Sequence, residues 1–207
     1  SGKSLAASLC VSGASVWVWD DNPNVLKNAR KEGFNTFNPR ADEAWNGIDL
    51  LLVSPGISTS ISTAHELVTK ARSLGIKIEN DIGLLFKLLK SSRDSFCVPP
   101  KVIAVTGSNG KSTTASLIHH ILLQAGVKTQ IGGNIGKSVF DLTPPKNEEI
   151  IVLELSSYQL ESANSLSPDI AVFTNFSPDH LERHGGIKGY FEAKKRLFQE
   201  GLPSISV

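Results

Sequence analysis

Residues 101–122 read KVIAVTGSNGKSTTASLIHHIL, and they leave the chain little choice of fold. A β-branched run from Val102 to Val105 breaks into Thr106-Gly107-Ser108-Asn109-Gly110-Lys111-Ser112-Thr113, and a periodic apolar pattern (Ala115, Leu117, Ile118, Ile121, Leu122) follows at once. Strand, glycine loop and helix start, in that order, predict an α/β unit that holds the phosphates of a nucleoside triphosphate. The loop N–H groups and the positive helix end face the phosphates, Lys111 adds a point charge, and Ser112 offers magnesium a hydroxyl. The usual phosphate loop also carries a glycine five positions before the glycine of its Gly-Lys pair. Here that position is Val105, so the loop is a shortened variant. A glycine-rich turn without chemistry is the alternative, and the flanking elements weigh against it.

Composition narrows the rest. At 207 residues the length allows one or two domains of roughly 100–200 residues each. A net charge of +1 recommends neither nucleic acid nor an anionic membrane as partner. The two cysteines, Cys10 and Cys97, sit in different regions, which fits a reducing compartment without a disulfide framework. No apolar stretch approaches the roughly 18 residues of a membrane span, so a cytoplasmic protein is expected. The chain contains no methionine, and Ser1-Gly2-Lys3-Ser4 runs straight into a helical pattern. A strand is expected before it, and the last residues resemble the start of another. The chain is therefore expected to be a fragment.

Strand and helix signals alternate throughout. In the first half the strands are predicted at 16–19, 50–53 and 76–78, and the helices at 24–33, 62–74 and 84–89. A polar segment, 91–100, ends in Pro99-Pro100 and marks a domain boundary, giving residues 1–94 and 95–207. The second half adds strands at 127–131, 150–155 and 169–174, a glycine loop at 132–136, and a helix at 190–200. This alternation predicts an α/β protein of two open parallel-sheet domains, Rossmann-like first and a phosphate-loop ATPase second. Such sheets bind ligands outside the carboxyl ends of their strands.

Candidate site residues cluster at those ends. Glu154 closes an apolar run downstream of the phosphate loop, where a magnesium ligand belongs; a structural hydrogen bond is the alternative. His180 lies beside Asp179 on the loop after the 169–174 strand, a pairing used for metal or phosphate ligation. On a helical wheel Lys194 falls within the apolar face of Tyr190, Phe191, Ala193, Leu197 and Phe198. Either its stem snorkels to water or its amine is buried, loses its proton and becomes chemically useful. Asp20 ends the second strand where dinucleotide folds place a ribose-gripping acid, and Ser54-Pro55-Gly56 ends another strand on the same rim. Ordinary turn chemistry explains either of them equally well. His65, His119, His120 and His184 suggest no role.

In order, TGSNGKS, GGNIG (132–136), LELSSYQLE (153–161), TNFSPDHLERH (174–184) and the Tyr190…Lys194 helix resemble the Mur ligases, ATP-dependent amide-forming enzymes of peptidoglycan precursor synthesis. SPGIS and NDIGLLF in the first half fit as well. LELSSYQLE with GGNIG is most similar to the branch that adds D-glutamate to UDP-N-acetylmuramoyl-L-alanine. Sister ligases and folylpolyglutamate synthase share the phosphate loop and not LELSSYQLE.

The resemblance implies three domains, for the UDP precursor, for ATP and for the amino acid, of which this chain would hold most of the first, the second nearly to its end and none of the third. It implies ATP binding by Gly107, Ser108, Asn109, Gly110, Lys111, Ser112 and Thr113. It further implies two Mg²⁺ ions served by Ser112, Glu154, His180 and Lys194, with Lys194 carbamylated by CO2. Lys111, His180 and Lys194 would be the catalytic set. Ser1, Asp20, Asp21, Asn22, Ser54, Pro55 and Gly56 match the precursor pocket, and Asn134 and Ser156 match positions near the reacting carboxylate. Asp20-Asp21-Asn22 replaces the family's common Asp-Thr-Arg, removing a basic residue on the uridine side. A monomer acting on small molecules, with an acyl-phosphate intermediate, is the implied enzyme. The rivals are another phosphate-loop ligase or kinase, or, for this chain alone, a nucleotide-binding module without turnover.

Overall fold

The computed structural model describes residues 2–60 and 64–207. The first half runs α1 (Gly2–Val11), β1 (Trp17–Val18), α2 (Pro23–Lys31), β2 (Asn35–Thr36), β3 (Leu50–Leu52), α3 (Glu66–Ser73), β4 (Lys77–Glu79) and α4 (Asp81–Ser91). The second runs β5 (Lys101–Thr106), α5 (Lys111–Gln124), β6 (Thr129–Gly133), β7 (Ile150–Glu154), α6 (Ser157–Ser162), β8 (Ile170–Phe173), α7 (Leu181–His184), α8 (Ile187–Gln199) and β9 (Ile205–Ser206). Each predicted element has its counterpart. The start of the helix expected over 62–74 falls partly outside the described residues.

Every strand pairing is parallel. The second half forms one five-stranded sheet in the order β6-β7-β5-β8-β9, while the first half forms two separate ladders, β1-β2 and β3-β4. The large sheet owes its order to two crossovers in opposite directions. From β5 the chain passes over to β6 and β7 on one side, then returns to β8 and β9 on the other. That reversal opens a crevice beside the carboxyl end of β5, the place where open α/β sheets bind ligands. The register levels the strand ends. Val105 pairs with Glu154 and Val172, and Glu154 also pairs with Gly133. The loops after four strands therefore rise from one edge.

The near-continuous apolar runs of β5 and β7 are explained by burial on both faces. Val102, Ala104, Ile151, Leu153 and Leu155 face a core shared with α4 (Ile82, Leu85, Phe86), Leu160 of α6 and Leu197 of α8. Val105 and Val152 point the other way, toward Ala115 of α5. Fully burying side chains of this kind contributes roughly 1.5–3 kcal/mol each. The core thus runs from the second half into α4 of the first.

Asn80 and Glu79 show how the sequence secures that junction. Asn80 caps α4 by accepting from the Gly83 N–H, while its Nδ2 donates to the Gln159 carbonyl at 2.7 Å and to Ser162 Oγ at 2.8 Å. Glu79 is buried, pairs with Lys87 at 3.1 Å and accepts from the Asn164 N–H at 2.7 Å. A Cβ at Gly83 would collide with the Glu79 carboxylate. The Asn-Asp-Ile-Gly stretch is therefore a junction between halves.

Candidate functional site

The phosphate loop is built by a clasp from the loop after β8. Thr174 Oγ1 and Asn175 Nδ2 both donate to the Asn109 carbonyl, at 2.6 and 2.9 Å, and the Asn109 N–H donates to Asn175 Oδ1 at 3.0 Å. Ser108 Oγ accepts from the Ser177 N–H at 2.9 Å and donates to the Ser177 carbonyl at 2.8 Å. Its single proton is thereby spent, so Tyr190 OH, 3.0 Å away, is the donor of that contact. Gly107 has φ +137° and Gly110 has φ +78°, values that favour glycine. A side chain at Gly107 would strike Thr174. Gly110 caps α5 without a side chain, which leaves the first helix N–H groups free for an anion.

Two cations stand over this loop. Lys111 Nζ donates to the Ser108 carbonyl at 2.8 Å. Lys194, 1% exposed, donates to the Gly107 carbonyl at 2.7 Å and lies 4.8 Å from the centroid of the Tyr190 ring. Its amine does not snorkel. Burial lowers its pKa from 10.5 to about 8, with Lys111 pushing the same way and Asp179 opposing. A neutral fraction of that amine is accessible near physiological pH.

The acids and the histidine come to the same edge. Glu154 is 2% exposed; its Oε1 accepts from Asn134 Nδ2 at 2.8 Å, and its Oε2 has no hydrogen-bond partner. His180 adopts a left-handed conformation, φ 49°. Asp179 supports it by accepting from the His180 N–H at 2.9 Å and lying 3.4 Å from its Nε2. Among the described residues no three His, Cys, Asp or Glu side chains form a ready metal cage. Magnesium does not need one, since it typically takes one or two carboxylates together with substrate phosphates and water. The unpartnered, buried Glu154 oxygen fits such a cation.

Two hollows meet here. A cavity of about 330 Å³ is lined by Pro55, Gly56, Asp81, Gly133, Asn134, Ser138, Ser156, Tyr158 and Gln159. Another of about 140 Å³ is lined by Lys111, Asn134, Ser156, Ser157, Tyr158, Asp179, His180, Tyr190 and Lys194. Asn134, Ser156 and Tyr158 wall both. Ser156 is also the N-cap of α6, closed by a capping box with Gln159, so its place is fixed by the backbone. Gly133, φ +101°, brings its backbone so close to Glu154 that an added Cβ would collide with the Glu154 carbonyl. Gly133→Ala is expected to cost roughly 1–3 kcal/mol or more, read as a lowered midpoint in denaturant unfolding.

Of the residues singled out in the sequence, Lys111, Asn134, Ser156, His180 and Lys194 converge, with Pro55 and Gly56 at the far end of the larger hollow. Ser54 stands beside the start of α1, where a Cβ on Gly2 would lie 3.8 Å from its Oγ. Ser1 lies outside the described residues. Asp20, Asp21 and Asn22 line neither hollow. Asp20 accepts from the Asn22 N–H, Asn22 caps α2, and Asp21 lies 3.1 Å from His65. The sequence reading singles out neither Tyr158 nor Arg183, and it suggests no role for His184. The His184 side chain is buried between Tyr158 and Tyr190 and lies 3.0 Å from Ser157 Oγ. Burial first, and neighbouring cations after it, lower its pKa to about 4, so it is a neutral packing group. Tyr158 had one signal available, its place directly after the Ser156-Ser157 pair that follows β7.

An open parallel sheet with a phosphate loop at its crevice and two lysines over that loop defines a nucleotide-binding α/β protein. Residues 105–207 match the Mur ligase middle domain, and the chain belongs to the Mur ligase family. It is 49% identical over its whole length to a UDP-N-acetylmuramoylalanine–D-glutamate ligase of Cereibacter sphaeroides. To the ligase of that name from Dinoroseobacter shibae it is 50% identical. In both cases it spans 45% of the relative, less than half the length of the curated relatives it matches. The UDP-N-acetylmuramate–alanine ligase MurC of Thermotoga maritima shares the fold, with TM-score 0.50 and 23% identity over 94% of this chain and 44% of that one.

Proposed function

We propose that this chain supplies the precursor-binding and ATP-binding parts of a ligase that joins D-glutamate to UDP-N-acetylmuramoyl-L-alanine at the expense of ATP. The observation that carries this reading is the shared wall of Asn134, Ser156 and Tyr158 between the two hollows. A carboxylate entering from the Pro55–Gly56 side and a γ-phosphate lying under Lys111 and Lys194 meet at that wall. The carboxylate oxygen attacks the γ-phosphorus and the bond to ADP breaks, leaving an acyl phosphate. The amine of D-glutamate then attacks the acyl carbon; phosphate leaves, the amine gives up a proton, and an amide remains.

The protein's part is positioning and charge. Lys111 and the α5 N–H groups neutralise the triphosphate, while Asn134, tied to Glu154, orients the reacting carboxylate. Ser112, Glu154 and His180 would hold magnesium, which when bound neutralises the transferring phosphate. Lys194 adds its neutral amine to CO2, losing a proton and forming a carbamate that would give the second cation an oxygen ligand. Residues 1–94 then serve the precursor and 95–207 the nucleotide. This division is one of ligands, because the hydrophobic core crosses it through α4. No described helix is long and apolar enough to cross a membrane; the ligase is read as a monomer doing small-molecule chemistry in the cytoplasm.

The test is ADP release by the full-length ligase with Mg-ATP and UDP-N-acetylmuramoyl-L-alanine. Release that requires D-glutamate, and that L-glutamate or L-lysine does not support, is the expected result. Release indifferent to the amino acid would overturn the assignment.

A further inference from the structure

Arg183 makes three contacts at once, to parts of the chain far apart in sequence. Its Nη2 donates to the Ile57 carbonyl at 3.1 Å, across a separation of 126 residues, and lies 3.2 Å from Glu161 Oε2. Its guanidinium carbon stands 5.3 Å from the centroid of the Tyr158 ring. The side chain is 16% exposed and its Glu161 partner 14%, so the pair is shielded well enough for charge to count.

The placement of these partners gives the contacts a meaning. Ile57 directly follows Pro55-Gly56, which line the larger hollow, and Tyr158 walls both hollows. Glu161 sits one turn farther along α6 from Tyr158. Arg183 itself lies on α7, a single turn bounded by left-handed His180 and Gly185. The element that sets His180 at the phosphate side therefore also grips the Pro55–Gly56 turn at the opposite end.

We propose that Arg183 is a positioning residue that fixes the Pro55–Gly56 turn against Tyr158 and so sets the affinity for the nucleotide-sugar precursor. The inference rests on the reading of the larger hollow as the precursor's. A planar guanidinium can hold a carbonyl, a carboxylate and an aromatic face together, and a lysine ammonium cannot. Arg183→Lys keeps the charge beside Glu161 and gives up the rest.

The experiment measures KM for UDP-N-acetylmuramoyl-L-alanine and for ATP in the full-length ligase, with wild type, Arg183→Ala and Arg183→Lys side by side. Both variants are expected to raise the precursor KM about ten-fold, as loss of a charged hydrogen bond does, with KM for ATP unchanged. Direct calorimetric binding of the precursor without ATP should weaken by the same factor. Should Arg183→Ala fail to fold, Arg183→Lys and the calorimetry carry the test. A precursor KM left at its wild-type value in Arg183→Lys would overturn the proposal, as would parallel rises in both KM values. Wild-type enzyme that neither binds nor needs the precursor would instead overturn the assignment of the hollow, and the inference with it.

Discussion

Replacing Lys194 by alanine in the full-length ligase is expected to lower turnover by at least about 10²–10³-fold, the loss typical when a preorganised charge is removed from a transition state. The sequence already sets the residue apart, because it falls in the middle of an apolar helix face. The structure places its amine in the interior, bonded to the Gly107 carbonyl and beside a second lysine. An ammonium in that position is costly, and the depressed pKa is the response. The sign follows from proton counting. Between about 8 and 10.5 the unfolded chain holds this proton and the folded chain does not, so Lys194 makes stability rise with pH across that window. Below it both states carry the proton, and the folded state bears the burial cost. The same neutral fraction is what CO2 requires, so at a fixed concentration of dissolved CO2 the CO2-depleted enzyme should regain activity faster as the pH rises toward 8 and level off above it. A short carboxylic acid such as acetate should restore part of the activity to Lys194→Ala by filling the space with an oxygen anion. Normal turnover by the variant without such an acid would end the carbamate reading.

The second large effect is expected at Lys111. Lys111→Ala should reduce turnover by about 10²–10³-fold while the protein keeps its unfolding midpoint. Among the described residues its ammonium bonds a single loop carbonyl, that of Ser108, and it is partly exposed, so little packing is lost. Removing it also relieves the repulsion on Lys194, whose pKa should rise in the variant. Calorimetric titration with ATP is the direct check, since removing a charge proposed to sit over the phosphates should weaken ground-state ATP binding, though by less than it weakens the transition state. Undiminished ATP affinity together with full turnover would remove Lys111 from the site.

Much of this could be read from local sequence, and the parts that could not share a cause. The phosphate loop, the strand-end Glu154 and the buried Lys194 each carry a short-range signal: a glycine spacing, an apolar run, a wheel position. The parallel sheet follows from alternation of strands and helices, but neither its strand order nor the separation of the first half into two ladders does, because pairing is decided between segments. Arg183 and Ile57 meet across 126 residues, and nothing near either announces the other. His184 looks like any surface histidine until α6 and α8 enclose it. Asp20-Asp21-Asn22 is the reverse case. Its local chemistry, a turn and a helix cap, is what the structure displays, and none of the three residues lines either hollow.

The common wall of Asn134, Ser156 and Tyr158 has a consequence for ligand design. Two weak groups, one suited to the Pro55–Gly56 end and one to the lysine end, would rest against the same three residues. On a tether of matching length the second group would experience an effective concentration in the millimolar range, so a bridging molecule would gain avidity without any stronger individual contact. A helix cap fixes Ser156 in that wall, so the span such a tether must match is written into the backbone.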